Sequence, residues 1–392
     1  MSLAVSILGL AFLILIHEAG HFFVARAVGM SPRKFYLGFP PAIAKVSRKG
    51  IEYGIGAIPL GGYVKIPGMH RPAPSDVDVH LGREVERKPE LAGPAERLKR
   101  QLAEGDMETA RGELAAMESR LPSSRGIAEL RDGLGADAYW RQRTWKKVAV
   151  IFAGPATNLV LSIVLFTVLL MGDSFRVGVA LAANDDGTVT TRIDEVLEGS
   201  PAAAAGIRAG DRVVALNGRR VTGAGLLDGI RDAEGAPVTL TIARDGERIT
   251  VGPVTPERIG GRNVLEATGR SLEVTWDVTE RIVAFFPGLV QGKGADQVSS
   301  PIGIAEASSN ALDEGFSEFL AVLGLISLSL ALLNLLPLLP LDGGHIAFSI
   351  VEGLRGRSLG REVYERVSMV GIVIVLFLFA IGLSNDIGRI SG

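Results

Sequence analysis

The sequence of 392 residues predicts a polytopic α-helical membrane protein with four transmembrane helices, a membrane-associated β-hairpin and an inserted extracytoplasmic α+β domain. Composition is the first observation behind this. Apolar residues make up 47%, charged residues only 21%, and mean hydropathy is +0.30, too apolar for a soluble chain of this length. Second, the apolar residues gather in runs, and a helix needs ~20 of them to cross the ~30 Å of hydrocarbon. Third, the texture changes between the second and third runs to short alternating segments separated by turn residues, the pattern of a small β-rich domain. The net charge of -2 points to no nucleic-acid partner, and the absence of cysteine excludes disulfides, thiolate zinc sites and cysteine nucleophiles.

Taken in order, residues 1–26 form the first span, running from Leu3 to about Ala25. The run lacks a basic leader and a small-residue cleavage site, so it does not read as a removable signal. Residues 27–70 form a loop in which 51–66, IEYGIGAIPLGGYVKI, alternate as a β-hairpin around Gly61-Gly62. Its apolarity suggests a membrane-reentrant element, tolerable in lipid only where protein or a watery cavity shields the backbone. Residues 71–139 are a charged insert with 14 acidic and 11 basic residues. Pro94 opens one helix there. Asp106 caps another bearing Met107, Ala110, Leu114, Met117 and Leu121, and Pro122 ends it. The expectation is a helical hairpin, either a solvated insert or a docking module with one sticky face.

The second span covers 146–171. Residues 174–255 carry a short helix after Gly199-Ser200-Pro201, a strand ending at Asn217-Gly218, and a hairpin across Arg244-Asp245-Gly246. This stretch resembles a circularly permuted bacterial PDZ domain, a module that binds peptide termini by adding a strand to a sheet edge. A purely structural domain is the competing reading. The connector 256–318 includes an amphipathic stretch, Trp276, Ile282, Phe285, Phe286 and Leu289, suited to lying on the membrane surface or packing on the inserted domain. Residues 319–345 hold the third span and a proline-broken end, and 367–384 the fourth span. Basic residues flank the spans at Arg26, Arg33, Lys34, Lys146, Lys147, Arg355 and Arg357. That places insert 71–139 in the cytoplasm and both termini and the 174–255 domain outside, in the inner membrane.

Chemistry concentrates in His17-Glu18-Ala19-Gly20-His21. On a helix, positions i and i+4 share a face, so both imidazoles can reach one metal ion, with Glu18 beside it as general base. Two histidines and a glutamate within a span are costly, about 2.5–3.5 kcal/mol for a central charge, and residues retained at that cost are functional by default. A catalytic zinc keeps three protein ligands and one open position. Among the remaining histidines, His70 and His80 sit in or beside the insert. The stronger third ligand is Asp342, in Asn334-Leu-Leu-Pro337-Leu-Leu-Pro340-Leu-Asp342-Gly343-Gly344-His345, at the same membrane depth as His17. The prolines break the helix and expose backbone there, which only a polar site tolerates. A helix-capping Asp342, with His345 as ligand, is the competing arrangement.

These motifs, with Gly61-Gly62-Tyr63-Val64-Lys65, Gly154-Pro155-Ala156-Thr157-Asn158 and Pro301-Ile302-Gly303-Ile304, resemble the site-2 protease family of intramembrane zinc metalloproteases, in particular the bacterial regulator-of-sigma-E protease group. The resemblance implies a Zn2+ enzyme with His17, His21 and Asp342 as metal ligands and Glu18 as the catalytic residue. It implies a reentrant β-loop in which Gly61, Gly62, Tyr63 and Val64 hold substrate extended, and Asn158 and Asn334 contacting substrate or supporting the ligands. Interhelical hydrogen bonding is the plainer role for those two asparagines. Implied partners are the lipid bilayer and single-span transmembrane substrates, such as anti-sigma factors or remnant signal peptides, with peptide termini at the PDZ-like domain. The chain departs from the family in its long 71–139 insert, its single PDZ-like domain and the shifted second proline, Pro340. Two other functions compete: a non-catalytic membrane scaffold that binds peptide termini, and a zinc transporter, which would need a polar path that the fourth span lacks.

Overall fold

The computed structural model describes residues 2–391 except 123, 184–188, 261–262, 292–293 and 296–297. The chain divides into two compact units, residues 1–165 with 275–392, and residues 166–274.

The first unit opens with α1, Ser2–Ala27. Apolar residues surround this helix on all sides, as a membrane helix requires. Two strands follow, β1 (Lys34–Arg48) and β2 (Ile51–Lys65). Here the structure corrects the expected hairpin within 51–66. The reversal lies at Lys49-Gly50, both at positive φ, so Ala42–Arg48 pairs with Ile51–Gly56. Residues 51–65 then run on as one long strand whose two ends flank Lys34–Leu37: Glu52–Ile55 on one side, Gly62–Lys65 on the other. Gly61-Gly62 is therefore a bend leading into an edge segment and not a hairpin turn.

The insert is also more than a helical hairpin. Among the described residues it holds four α-helices, α2 (Pro74–Arg87), α3 (Ala92–Glu104), α4 (Met107–Glu118) and α5 (Arg125–Leu134). They close around a core that includes Leu81, Leu98, Leu114, Met117, Ile127 and Leu134. The predicted cap is present, with Asp106 Oδ1 accepting from Thr109 N–H at 3.1 Å. The apolar face of α4 is consumed by this core, so it is not the expected sticky face. The reason is long-range: α5 packs on α4 opposite α3, and α2 closes the bundle between α3 and α5.

The second membrane helix is α6, Thr144–Met171. The second unit carries the elements β3 (Asp173–Arg176), β4 (Val179–Ala183), β5 (Val189–Val196), α7 (Pro201–Ala204), β6 (Arg212–Leu216), β7 (Arg219–Arg220), α8 (Gly223–Asp232), β8 (Val238–Arg244), β9 (Glu247–Val254) and β10 (Glu257–Gly260). Its main sheet runs β4-β5-β6-β8-β9, with β7 beside β6, and β3 pairs with β10. The expected β8–β9 hairpin forms, with Arg244 opposite Glu247 and Asp245-Gly246 in the turn. Ile193, Val213, Leu226, Leu240 and Ile242 fill its core. Asp211 is buried and ties this core's edge to Arg244, whose Nε and Nη2 donate to its two oxygens at 2.7 Å each. The unit is larger than the expected 174–255, because β10 and parts of the flanking helices belong to it.

Helix α9, Val264–Val290, begins earlier than the expected amphipathic stretch and exposes Leu272, Trp276 and Val283. The side chain of Phe286 lies outside the described residues. Next come α10 (Pro301–Glu314), α11 (Phe316–Asn334), α12 (Asp342–Arg355) and α13 (Arg361–Ser391). Helices α1, α6, α11 and α13 are long and apolar enough to cross a membrane. Leu13 of α1 packs with Phe319 and Leu323 of α11. Buried Asp386 of α13 accepts from Ser300 N–H and Gly303 N–H at 2.8 and 3.0 Å, satisfying donors at the start of α10.

Candidate metal centre

His17 and His21 project from one face of α1 and are buried, at 8% and 7% exposure. Asp342 arrives on the first turn of α12, after α11 ends at Asn334. The three side chains converge: His17 Nε2 to His21 Nε2 is 3.3 Å, and Asp342 Oδ2 lies 3.1 Å from the first and 3.4 Å from the second. Ligands about 2.05 Å from one tetrahedral ion stand about 3.3 Å apart, so these spacings fit a zinc ion without rearrangement. Asp342 Oδ2 is buried and, among the described residues, has no hydrogen-bond partner. A carboxylate oxygen left so is a costly group unless something else satisfies it, and a cation would. Among the described residues this is the one cluster of three or more potential ligands that meets in this way.

Helix α6 shapes the floor of the site. The Val150 carbonyl accepts from His21 Nδ1 at 2.8 Å, which leaves Nε2 as the free lone pair. Gly154 lies directly under the imidazoles. A Cβ built on it would sit 2.3 Å from His21 Nε2 and 2.8 Å from His17 Nε2. Fully buried Asn158 brings its amide nitrogen to 3.5 Å from His17 Nδ1, while its Oδ1 has no partner among the described residues. Asn334 is half-buried at the end of α11.

The edge segment of β2 covers the other side. Gly62 lets the strand lie against Glu18, since a Cβ there would meet Glu18 Cγ at 2.8 Å. Val64 follows two residues on, in the same edge segment. Tyr63 stacks on Tyr36, with ring centroids 5.2 Å apart, and lies parallel to Phe39. The Tyr36 hydroxyl donates to Glu52 at 2.7 Å, and this bond, with Lys34 and Lys45 nearby, holds the Glu52 carboxyl at about 2.

The other histidines lie elsewhere. His345 sits beside Tyr364, ring centroids 6.3 Å apart, and His70 approaches Asp76 at 3.7 Å. Sequence reading missed a buried ion pair that ties α6 to the helix bearing Asp342: Lys147 Nζ to Glu352 Oε2 at 3.0 Å, with Leu359 N–H donating to Glu352 Oε1. An acid on the otherwise apolar turns of 346–354 was its one sequence signal.

The family model described as "Peptidase family M50" matches residues 5–378. The chain belongs to peptidase family M50. This M50 peptidase is 29% identical to the protein Atu1380 of Agrobacterium fabrum, over 98% of its own length and 95% of the relative. It is 30% identical to R01501 of Rhizobium meliloti over the same shares, and both relatives carry zinc-metalloprotease names. Zinc metalloprotease RasP of Geobacillus kaustophilus is 27% identical, covering 96% and 95%. Among solved structures, a crystal structure of the HtrA3 PDZ domain bound to a phage-derived ligand aligns with 23% of the chain and 92% of that domain, at 22% identity and a TM-score of 0.20. Family membership makes the chain a zinc metalloendopeptidase of the site-2 protease family, and its four candidate spans make it a multi-pass inner-membrane protein.

Proposed function

We propose that this M50 peptidase cleaves a peptide bond within or beside the transmembrane segment of a single-span membrane protein, as in regulated intramembrane proteolysis. Substrates of this kind include anti-sigma-factor-like proteins and remnant signal peptides. The observation that carries the reading is the convergence of His17, His21 and Asp342 at tetrahedral spacing around an orphaned carboxylate oxygen, with Glu18 one residue from a ligand. These three residues would hold the metal. Zinc, when bound, polarises the substrate carbonyl and acidifies a water molecule.

Glu18 takes the proton of the attacking water and returns it to the leaving amine. Asn158 orients His17: with its amide turned so that Oδ1 faces Nδ1–H, the imidazole keeps Nε2 for the metal. A transmembrane helix hides its carbonyls in hydrogen bonds, so the substrate must unwind before it is cut. Residues 62–65 pair with 34–37 on one side only, among the described residues, which leaves an edge to receive an extended segment. Gly61, Gly62, Tyr63 and Val64 line that edge, and Asn334, at the end of α11, contacts substrate or supports the ligands. The unit holding β4–β9 acts as an extracytoplasmic PDZ-like domain that reads peptide termini or excludes untrimmed substrates, and the α2–α5 insert lies in the cytoplasm.

Glu18→Gln tests the reading. The variant should keep its zinc and lose cleavage of a model single-span substrate, because the ligands remain while the base is gone. Activity within about ten-fold of wild type would refute the role of Glu18.

A further inference from the structure

The insert α2–α5 has its own core, yet its last helix is bound to the segment that touches Glu18. Lys65 closes β2, and its Nζ lies 2.6 Å from Glu129 Oε1 and 3.4 Å from Asp132 Oδ2. Arg33 precedes β1 and is hydrogen-bonded to Lys65 across the strands, N–H to carbonyl, at 2.8 Å. Its Nε donates to Asp132 Oδ1 at 2.8 Å, and its Nη2 reaches Asp137 at 3.1 Å. Two cations side by side on neighbouring strands repel. Asp132, whose side chain is 9% exposed, bridges the two, and Glu129 and Asp137 supply the remaining negative charge. Backbone bonds complete the joint, with Tyr139 N–H on the Pro67 carbonyl at 2.9 Å and Trp140 N–H on the Gly68 carbonyl at 3.0 Å.

Three residues before Lys65 in the same strand is Gly62, where a Cβ would meet Glu18 Cγ at 2.8 Å, so this end of β2 lies against the base. A trans peptide fixes neighbouring Cα atoms ~3.8 Å apart, so where Lys65 is held limits where the strand residues before it can lie. We propose that the insert positions the catalytic base: Asp132 and Glu129 hold Lys65, Lys65 holds the end of β2, and the edge segment 62–65 packs against Glu18 and fixes it beside the metal ligands. Lys65, Asp132 and Glu129 are positioning residues, since none touches the reacting atoms. This gives the insert a task in the reaction that a solvated loop extension would not have. It rests on Glu18 being the base.

The test uses the full-length protein in detergent or nanodiscs, comparing wild type with Lys65→Met, Lys65→Arg, Asp132→Asn and Glu18→Gln. Lys65→Met keeps the aliphatic stem and leaves Arg33 on Asp132, so the insert stays docked by its backbone bonds while the strand end loses its side-chain tie. In Lys65→Met, kcat for a model single-span substrate should fall about ten-fold, more than KM changes, because misplacement of a catalytic group by a fraction of an ångström acts on the transition state. Zinc per chain and Tm should match wild type, and the Val64 amide should exchange faster with deuterium. Lys65→Arg should restore kcat to within about two-fold, since arginine can bridge the same carboxylates. Asp132→Asn should lower kcat in the same way. A kcat for Lys65→Met within about two-fold of wild type, or a loss that follows zinc content or Tm in all variants, overturns the positioning role. Full activity in Glu18→Gln overturns instead the assignment of the base beneath it.

Discussion

Replacing Gly154 by alanine adds one carbon at the floor of the metal centre. The new Cβ would lie 2.3 Å from His21 Nε2, where ordinary contact begins near 3.4 Å, so about 1 Å must be found. His21 cannot swing aside freely, because its Nδ1 is tied to the Val150 carbonyl at 2.8 Å and the ring is buried. Nor can α6 back away without carrying Val150 with it. Metal–ligand distances tolerate only about 0.2 Å, so a shift several times larger must cost affinity. A loss of at least about 10–100-fold in zinc affinity is expected, the scale seen when support around a ligand is disturbed. Helix propensity alone predicts the opposite direction, since Gly→Ala inside a helix stabilises by about 0.5–1 kcal/mol. Gly82→Ala is the control, a helical glycine of the insert with no atom near its built Cβ. Zinc affinity is read by chelator competition and metal analysis, with Tm measured on the metal-free protein. A Gly154→Ala variant whose zinc affinity stays within about two-fold of wild type would refute the placement of the imidazoles over α6.

Three further expectations follow from the same geometry. Asp342→Asn should weaken zinc binding as well as cleavage, since the orphaned oxygen is lost; unchanged zinc affinity would remove Asp342 from the ligand set. In the 166–274 unit, the Arg244 guanidinium holds the buried Asp211 carboxyl below the usual carboxylate range. That contribution to stability is therefore present above about pH 4 and fades as pH falls through the depressed value, so hydrogen exchange should show the wild-type advantage over Asp211→Asn shrinking on acidification. An advantage that grew on acidification would contradict the pairing. Reporter fusions at residue 110 should read cytoplasmic and those at residue 230 external, and a cytoplasmic signal at 230 would overturn the orientation read from the basic flanks.

Much of this protein is written in local patterns. Unbroken apolar runs specify the four spans, because each helix satisfies its own backbone wherever it lies in the membrane. Spacing of i to i+4 alone puts His17 and His21 on one face, and the Asp245-Gly246 turn between alternating strands specifies the β8–β9 hairpin. Proline breaks and an acid at matching depth single out Asp342 before any coordinates exist. The tertiary structure decided what depends on closure between distant segments. Residues 51–65 flank both sides of 34–37 instead of folding on themselves, because strand pairing is chosen by partners and not by alternation. The apolar face of α4 vanished into a four-helix core because α5 packs on it opposite α3 and α2 closes the bundle. Val150 contributes a carbonyl, which no side-chain pattern can announce, and Gly154 contributes the absence of a side chain where two imidazoles need the room. Asp132 looks in sequence like one surface acid among many; only the fold sets it between Arg33 and Lys65, where two like charges brought together by strand pairing require a carboxylate.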